Sequence, residues 1–194
     1  MSDVEKIVNV TNIANIVSEI KRPNLLIEKR YEDSVVPTRA TPLSSGFDVS
    51  VYKIVKVFTH KYVTEDEESY TSVEVAQDVN LDSYVMQPGD RILVDTGNNG
   101  TVGEGYEIQV RPRSGLALKQ GISVENSPGT IDADYRGMIG VILINDSLVE
   151  RKVSKGDRIA QIVVQRVEML DIEVVDKLPD NTIRGEGGFG HTGV

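Results

Sequence analysis

Short runs of aliphatic and β-branched residues, separated by turn residues, recur at roughly even spacing from Leu25 onward. The run "YEIQV" (Tyr106–Val110) alternates apolar and polar residues, as in a strand with one buried face. The run "MIGVILIN" (Met138–Asn145) is apolar up to its last residue, which predicts a strand buried on both faces. Proline and glycine in "QPGD" (Gln87–Asp90) predict a turn between two further runs. The pattern predicts an all-β fold, either a barrel or a sandwich.

Composition narrows the functions that such a fold could serve. The net charge of −9 argues against a nucleic-acid partner, which needs clustered basic residues, but allows a small anion in an arginine-lined cleft. The chain has no cysteine, which excludes disulfides and cysteine-ligated metals and fits a reducing compartment. It has no apolar stretch near 18 residues and no apolar core of a signal peptide near its start. We therefore expect a cytoplasmic protein without a membrane span.

Two segments depart from the β pattern. Residues 1–24 carry apolar residues near helical spacing up to Pro23, which predicts either a short helix or a loosely attached arm. Within an insertion at about residues 53–86, seven acidic residues and one lysine lie between positions 60 and 82. The charge pattern of this acidic insertion indicates either a solvated hairpin or mobile loop, or a docking surface for a basic protein partner.

Five patches are denser in Gly, Asp, Arg and Ser than the strands around them. They are "SSGFDVS" (Ser44–Ser50), "RPRSGLALKQGI" (Arg111–Ile122), "NSPGTIDADYRGMIGV" (Asn126–Val141), "KGDRIAQ" (Lys155–Gln161) and "RGEGGFGHTG" (Arg184–Gly193). Each has an ordinary explanation alone, but in this order they closely resemble the five motifs of the homotrimeric dUTP diphosphatase (dUTPase) family. The resemblance covers Leu25 to Val194.

The resemblance implies a fold, a reaction and an assembly. The fold would be a jelly-roll-like β-barrel over residues 25–183, with three copies around a threefold axis and active sites shared between them. The reaction would convert dUTP and water to dUMP and diphosphate with Mg²⁺ on the triphosphate. It would keep uracil out of DNA and supply dUMP for thymidylate synthesis. The glycine-rich residues 184–194 would form a lid over a neighbour's site.

The third motif would supply the catalytic base. Asp132 matches the aspartate that polarises the attacking water, whereas Asp134 would fix the turn or pair with Arg136. Tyr135 matches the tyrosine that packs under the deoxyribose and excludes a 2′-hydroxyl. Further residues of this segment would read uracil, largely through backbone groups of an Asn126–Val141 hairpin; they are Asn126, Thr130, Ile131 and Gly140.

The other motifs would bind the triphosphate. Arg113, Ser114 and Gly115 match the phosphate-binding trio of the second motif, and Gln161 matches a further phosphate contact. The lid would supply Arg184, Phe189, Gly190, His191 and Thr192. No direct protein ligand to Mg²⁺ is expected, and Asp48 would orient a metal-bound water. Asp157 and Arg158 are either an intersubunit ion pair or ligand contacts.

The sequence departs from the family motifs at two positions, and two other functions are alternatives to dUTP hydrolysis. His191 stands where many relatives carry serine, and Pro128 restricts Ser127 within the uracil-reading segment. The related dCTP deaminase shares the fold, but it needs a glutamate after the third motif, where "GVILIN" has none. A dUTPase-like regulator would instead control a protein partner through the acidic insertion or the N-terminal arm.

Overall fold

The structure is a computed structural model that describes residues 24–66 and 69–188. Within these residues the chain forms twelve strands and one short helix, which confirms the all-β prediction. The strands are β1 (Leu26–Lys29), β2 (Phe47–Ser50), β3 (Lys53–Asp66), β4 (Ser69–Leu81), β5 (Ser83–Met86), β6 (Arg91–Thr101), β7 (Tyr106–Pro112), β8 (Ile122–Val124), β9 (Gly129–Ile131), β10 (Met138–Asn145), β11 (Arg151–Ser154) and β12 (Arg158–Arg166). The helix α1 (Ser114–Gln120) follows β7.

The strands form three antiparallel sheets. The largest has the order β4-β3-β6-β10-β8, with β1 also paired to β6. A four-stranded sheet has the order β2-β12-β7-β9, and β11 pairs with β5. The sheets do not close into a barrel within one chain, because β4 and β8 end the first sheet and β2 and β9 end the second. The architecture is that of a jelly roll with open edges.

The core between the sheets consists of Val, Ile and Leu together with Met86 and Ala160, as the scarcity of aromatic residues predicts. Strand β7 follows its alternation, with Ile108 and Val110 buried. The prediction for "MIGVILIN" is wrong: in β10 only every second residue is buried, while the intervening side chains are half-buried. Antiparallel sheets pack one face on the core, so a continuous apolar run does not require burial on both faces.

The turn chemistry between strands behaves as the sequence indicates. Gly89 adopts φ 82° in "QPGD", where the Asp90 N–H donates to the Gln87 carbonyl at 3.0 Å. Gly156 adopts φ 90° in the turn between β11 and β12. These turns set where each strand begins, and therefore which residues meet across the sheets.

The acidic insertion is built from the long hairpin of β3 and β4, paired from Ile54↔Leu81 out to Asp66↔Ser69. Near its base, Lys53 lies 2.9 Å from Asp82 and Lys56 lies 3.1 Å from Asp78, while Arg91 of β6 pairs with Glu74. These intrachain ion pairs compensate part of the acidic charge. The N-terminal arm or helix was predicted for residues 1–24, of which 1–23 lie outside the described residues.

In the part of the chain that the structure describes, no helix has the length and apolar character needed to cross a membrane.

Candidate functional site

Strand register brings four of the five sequence motifs into two neighbourhoods. Strand β12 lies between β2 and β7, so that Gln161 stands opposite Asp48 on one side and Arg111 on the other. The chain continues from β7 directly into α1, which places Arg113 and Ser114 beside Asp48, Gln161 and Arg111. A cavity of about 390 Å³ is lined by Asp48, Arg113, Ser114, Gly115 and Gln161, together with Ala40, Leu116, Lys119 and Gln120. We call this cavity the arginine cleft.

Asp48 joins two arginines at the wall of the arginine cleft. The Arg113 Nε donates to its Oδ1 at 3.1 Å, and the Arg158 Nη1 donates to its Oδ2 at 3.0 Å. Arg113 also donates to the Arg158 carbonyl at 3.0 Å, and the Asp48 side chain is only 15% exposed. One carboxylate between two guanidinium groups leaves a net positive charge, and that charge favours an anionic ligand.

Arg158 is therefore part of this network, whereas the sequence left its role open. Within the chain it does not pair with Asp157, whose Oδ2 accepts a hydrogen bond from the Ser154 N–H at 2.8 Å in the β11–β12 turn. No local sequence signal identifies this role, because it depends on the register that sets Arg158 opposite Ser50 in the strand that pairs with β2.

The start of α1 presents backbone donors to the arginine cleft. The first intrahelical hydrogen bonds are donated by Leu116 and Ala117 to the Arg113 carbonyl, so the N–H groups of Ser114 and Gly115 precede them. Among the described residues, a Cβ added to Gly115 would meet nothing within 4 Å. The packing of this part of the chain thus does not require glycine there, and the space beside it is open to a ligand.

The Gln161 side chain, which lines the cleft, packs directly against the backbone of Gly46. The Gln161 Nε2 donates to the Pro112 carbonyl at 3.0 Å. A Cβ on Gly46 would lie 2.2 Å from the Gln161 Oε1, so a side chain at position 46 would displace this glutamine. Gly46 belongs to the "SSGFDVS" patch and is a residue that the sequence reasoning left without a role.

Asp132 lies in a second neighbourhood, the loop of residues 132–137 that joins β9 to β10. The Tyr135 N–H donates to the Asp132 carbonyl at 3.1 Å, and both side chains are exposed. A cavity of about 720 Å³, here the acidic cavity, is lined by Asp132 and Asp134 as well as by Glu104, Glu107 and Arg136. The lining residues of the acidic cavity and of the arginine cleft do not overlap.

The segment Asn126–Val141 is not a hairpin of two strands paired with each other. Strand β9 pairs with β7 in the four-stranded sheet, and β10 pairs with β6 and β8 in the six-stranded sheet. The loop crosses between the sheets because each strand buries its apolar face against the other sheet. The Ser127–Pro128 bond at the entry to β9 is cis.

The side chains predicted to read the nucleoside differ in exposure. Ile131 is 8% exposed and belongs to the core, so only its backbone is available to a ligand. Asn126 and Thr130 are exposed. The Tyr135 hydroxyl donates to the Met138 carbonyl at 3.3 Å, and a Cβ on Gly137 would collide with the Tyr135 ring. At Gly140, a Cβ would meet the Leu93 and Met138 side chains at 3.3 and 3.4 Å.

Of the two roles that the sequence leaves open for Asp134, fixing the turn or pairing with Arg136, the structure does not show the pairing. The Arg136 Nη1 donates to the Ala133 carbonyl at 2.7 Å, the Tyr135 carbonyl at 2.7 Å and the Thr101 Oγ1 at 2.9 Å. Among residues 24–66 and 69–188, no ion pair joins Arg136 to Asp134. The backbone carbonyls of the short loop lie within hydrogen-bonding distance of Nη1, whose two hydrogens are shared among the three acceptors.

The predicted lid is described only at its start. The Arg184 Nε donates to the Gly187 carbonyl at 2.7 Å, and Arg184 lines neither the arginine cleft nor the acidic cavity. Phe189, Gly190, His191 and Thr192 lie outside the described residues. The chain therefore brings together Asp48, Arg113, Ser114, Gly115 and Gln161, but not Asp132 or Arg184.

The donor groups of the arginine cleft determine how it could hold Mg²⁺. Asp48 offers one carboxylate, and each of its oxygens keeps acceptor capacity beyond its arginine. No cluster of three or more His, Cys, Asp or Glu side chains that suits a metal occurs among the described residues. This donor set fits a Mg²⁺ ion held mainly by water and substrate phosphates.

Comparison with known proteins identifies the family. A family model described as dUTPase matches residues 74–193. The chain belongs to the dUTPase family. This finding confirms the resemblance seen in the five patches, and the match includes the second to fifth patches in full.

Curated relatives in this dUTPase family align over most of the chain. A deoxyuridine 5′-triphosphate nucleotidohydrolase of Heliobacterium modesticaldum is 44% identical over 172 residues, covering 87% of this chain and 95% of the relative. The protein of the same name from a Hydrogenobaculum species is 44% identical over 171 residues, covering 88% of this chain and 98% of the relative. The alignments extend well beyond the motifs.

Solved dUTPase structures share the fold. A dUTPase of Staphylococcus bacteriophage 80alpha with dUpNHpp aligns at a TM-score of 0.68 and 21% identity, covering 88% of this chain and 99% of that one. A dUTPase from phage phi11 of S. aureus, described with a structural Mg(II) ion, aligns at a TM-score of 0.61 and 17% identity, covering 80% of this chain and 98% of that one.

Proposed function

We propose that this protein hydrolyses dUTP to dUMP and diphosphate. The observation that carries the proposal is the arginine cleft, where strand register gathers Arg113, Ser114 and Gln161 around one carboxylate in a chain of the dUTPase family. Guanidinium, hydroxyl and backbone N–H donors converging on one cavity suit a chain of phosphate groups. The relatives named as deoxyuridine 5′-triphosphate nucleotidohydrolases support the choice of nucleotide.

We infer that the active site is completed by neighbouring copies in a homotrimer. Asp132 and the arginine cleft lie in separate cavities of one chain, so a single copy does not present base and phosphate site together. The segment that follows β12 exposes Met169, Leu170, Ile172 and Val174 by 75 to 93%. Apolar residues that the described part of the chain leaves uncovered, in a segment without regular secondary structure, support contact with another copy.

Asp132 acts in this proposal as the general base. Its carboxylate is exposed at the acidic cavity, where it can accept a hydrogen bond from a water. Taking that water's proton while the water attacks the α-phosphorus in line generates the nucleophile, and the Arg113 guanidinium stabilises the charge on the phosphate oxygens. Mg²⁺ on the triphosphate would neutralise further charge, and Asp48 would hold one of its waters.

Nucleoside selection rests on the 126–140 segment. Ile131 is buried, so its N–H and carbonyl rather than its side chain would contact uracil, beside Asn126, Thr130 and Gly140. The Tyr135 ring is 44% exposed and would pack under the deoxyribose, where a 2′-hydroxyl would clash. Arg184, Phe189, Gly190, His191 and Thr192 would close over the bound nucleotide and exclude water.

In the cell, this activity would keep uracil out of DNA and supply dUMP for thymidylate synthesis. A cytoplasmic location fits the absence of cysteine from the chain. A basic protein partner at the acidic insertion stays a prediction, and deleting residues 61–82 while measuring both partner binding and turnover would test it.

The test is a substrate panel of dUTP, dCTP, dTTP and UTP, with and without Mg²⁺, alongside mass in solution. We expect diphosphate release from dUTP alone and a mass of three chains. Ammonia release from dCTP would instead indicate a deaminase. Asp132→Asn should keep the affinity for dUpNHpp and lower kcat by roughly 10² to 10⁴-fold, because it keeps the shape and removes the base. Near-normal kcat in that variant would contradict the role of Asp132.

A further inference from the structure

Arg136 lines the acidic cavity beside the proposed base, yet within the part of the chain that the structure describes it forms no ion pair. Its Nη1 reaches the carbonyl oxygens of Ala133 and Tyr135 and the hydroxyl of Thr101, all at 2.7 to 2.9 Å. Ala133 directly follows Asp132, so the guanidinium holds the backbone on the C-terminal side of that aspartate. The Arg136 guanidinium donates to two backbone carbonyls of the same loop, and these hydrogen bonds hold the loop in one conformation.

Thr101 closes the arrangement from the neighbouring sheet. Its hydroxyl donates to the Ala133 carbonyl at 2.8 Å while accepting from Arg136, so three groups form a ring of hydrogen bonds. Thr101 is the last residue of β6, which pairs with β10 just beyond the loop. The ring therefore ties the loop to a strand of the six-stranded sheet rather than only to itself.

The same loop carries both side chains that the proposed function assigns to chemistry and sugar recognition. The Tyr135 N–H donates to the Asp132 carbonyl at 3.1 Å, and the Tyr135 carbonyl accepts from Arg136. We propose that Arg136 and Thr101 form a clamp that positions Asp132 and Tyr135, which makes Arg136 a positioning residue of the site. The clamp rests on the proposed function, since its purpose is to hold the base in line with the attacked phosphorus.

The first test compares turnover in variants of both partners. Arg136→Gln should lower kcat for dUTP by roughly 10 to 10²-fold, the scale of loss when a reacting group is misplaced by about 1 Å. Thr101→Val should lower kcat in the same direction, and Thr101→Ser, which keeps the hydroxyl, should restore it. Arg136→Lys should give an intermediate kcat because it keeps the charge and the donor hydrogens on a shorter side chain. The matched control is Arg91→Gln, which removes an arginine that pairs with Glu74 on the hairpin.

A double-mutant cycle separates a clamp from two independent effects. If Arg136 and Thr101 act through one ring, the combined variant should lose little more activity than Arg136→Gln alone. Losses that multiply, or a Thr101→Val variant with the wild-type kcat, would overturn the clamp. A fall in dUpNHpp affinity equal to the fall in kcat for Arg136→Gln, with Thr101→Val unaffected, would instead make Arg136 a direct ligand contact and also overturn it.

A readout that does not need turnover keeps this inference distinct from the proposed function. The Tyr135 amide should exchange its hydrogen at least about 10-fold faster in Arg136→Gln and Thr101→Val than in the wild type, since local opening governs protection. Core amides of β10 should stay unchanged. Unaltered exchange at Tyr135 would refute the clamp even in an active enzyme. If the wild type fails to hydrolyse dUTP, the proposed function falls, and the exchange result still decides whether the clamp exists.

Discussion

Replacing Asp48 by alanine tests whether the arginine cleft is held by its carboxylate. The substitution leaves Arg113 and Arg158 without their shared acceptor, while the hydrogen bond from Arg113 to the Arg158 carbonyl survives. The experiment is run in EDTA without nucleotide, so that any role of Asp48 in orienting a metal-bound water does not contribute.

The expected loss of stability follows from the exposure of the three side chains. A hydrogen bond between charged groups contributes about 1.5 to 3 kcal/mol, and an exposed ion pair about 0 to 1 kcal/mol. Asp48 and Arg113 are 15% and 28% exposed, which favours the upper range for that pair, whereas Arg158 at 58% belongs to the lower range. We expect Asp48→Ala to lower the free energy of unfolding by about 2 to 3 kcal/mol.

Thermal unfolding at fixed protein concentration measures the effect. For a chain of this size, about 2 to 3 kcal/mol corresponds to a fall in Tm of roughly 4 to 12 °C. The matched control is Asp78→Ala, which removes a carboxylate from an ion pair at 3.1 Å whose aspartate is 84% exposed. That control should lower Tm by no more than about 4 °C, and by less than Asp48→Ala does. Equal shifts in the two variants, or none in Asp48→Ala, would refute the reasoning.

Three further predictions concern the core, the acid stability and the tail. Leu143→Ala should cost about 2 to 5 kcal/mol, measured by urea unfolding, because Leu143 is fully buried in β10; a loss under about 1 kcal/mol would contradict its core position. The pKa of Asp33 is lowered because Lys155 donates to its carboxylate, with the Tyr52 hydroxyl as the second cause. Its contribution to stability is therefore present above the unfolded pKa and lost as pH falls through the lowered folded pKa. Asp33→Asn should therefore reduce the fall in Tm that the wild type shows at acidic pH. An unchanged fall in Tm would argue against a stabilising role of the Asp33 carboxylate. Deleting residues 184–194 should lower kcat while leaving a folded trimer, and a monomeric or unfolded product would make the tail structural.

Much of the fold and part of the candidate site were available from local sequence. The alternation in "YEIQV" and the turn at Gln87–Asp90 correspond to β7 and to the β5–β6 connection. The five patches identified the family, because residue type and order along the chain are enough for that. In these cases the information lies within a few neighbouring residues, where backbone preference and side-chain period act directly.

Only the tertiary structure decided which polar groups meet. Asp48 pairs with Arg113 and Arg158, which lie 65 and 110 positions away, because β12 happens to lie between β2 and β7. Arg136 donates to backbone carbonyls and not to Asp134. The loop that crosses between the two sheets brings Thr101 and Ala133 within hydrogen-bonding distance of its guanidinium. Strand order follows from burial of the whole apolar core, a sum over distant residues that no local pattern contains.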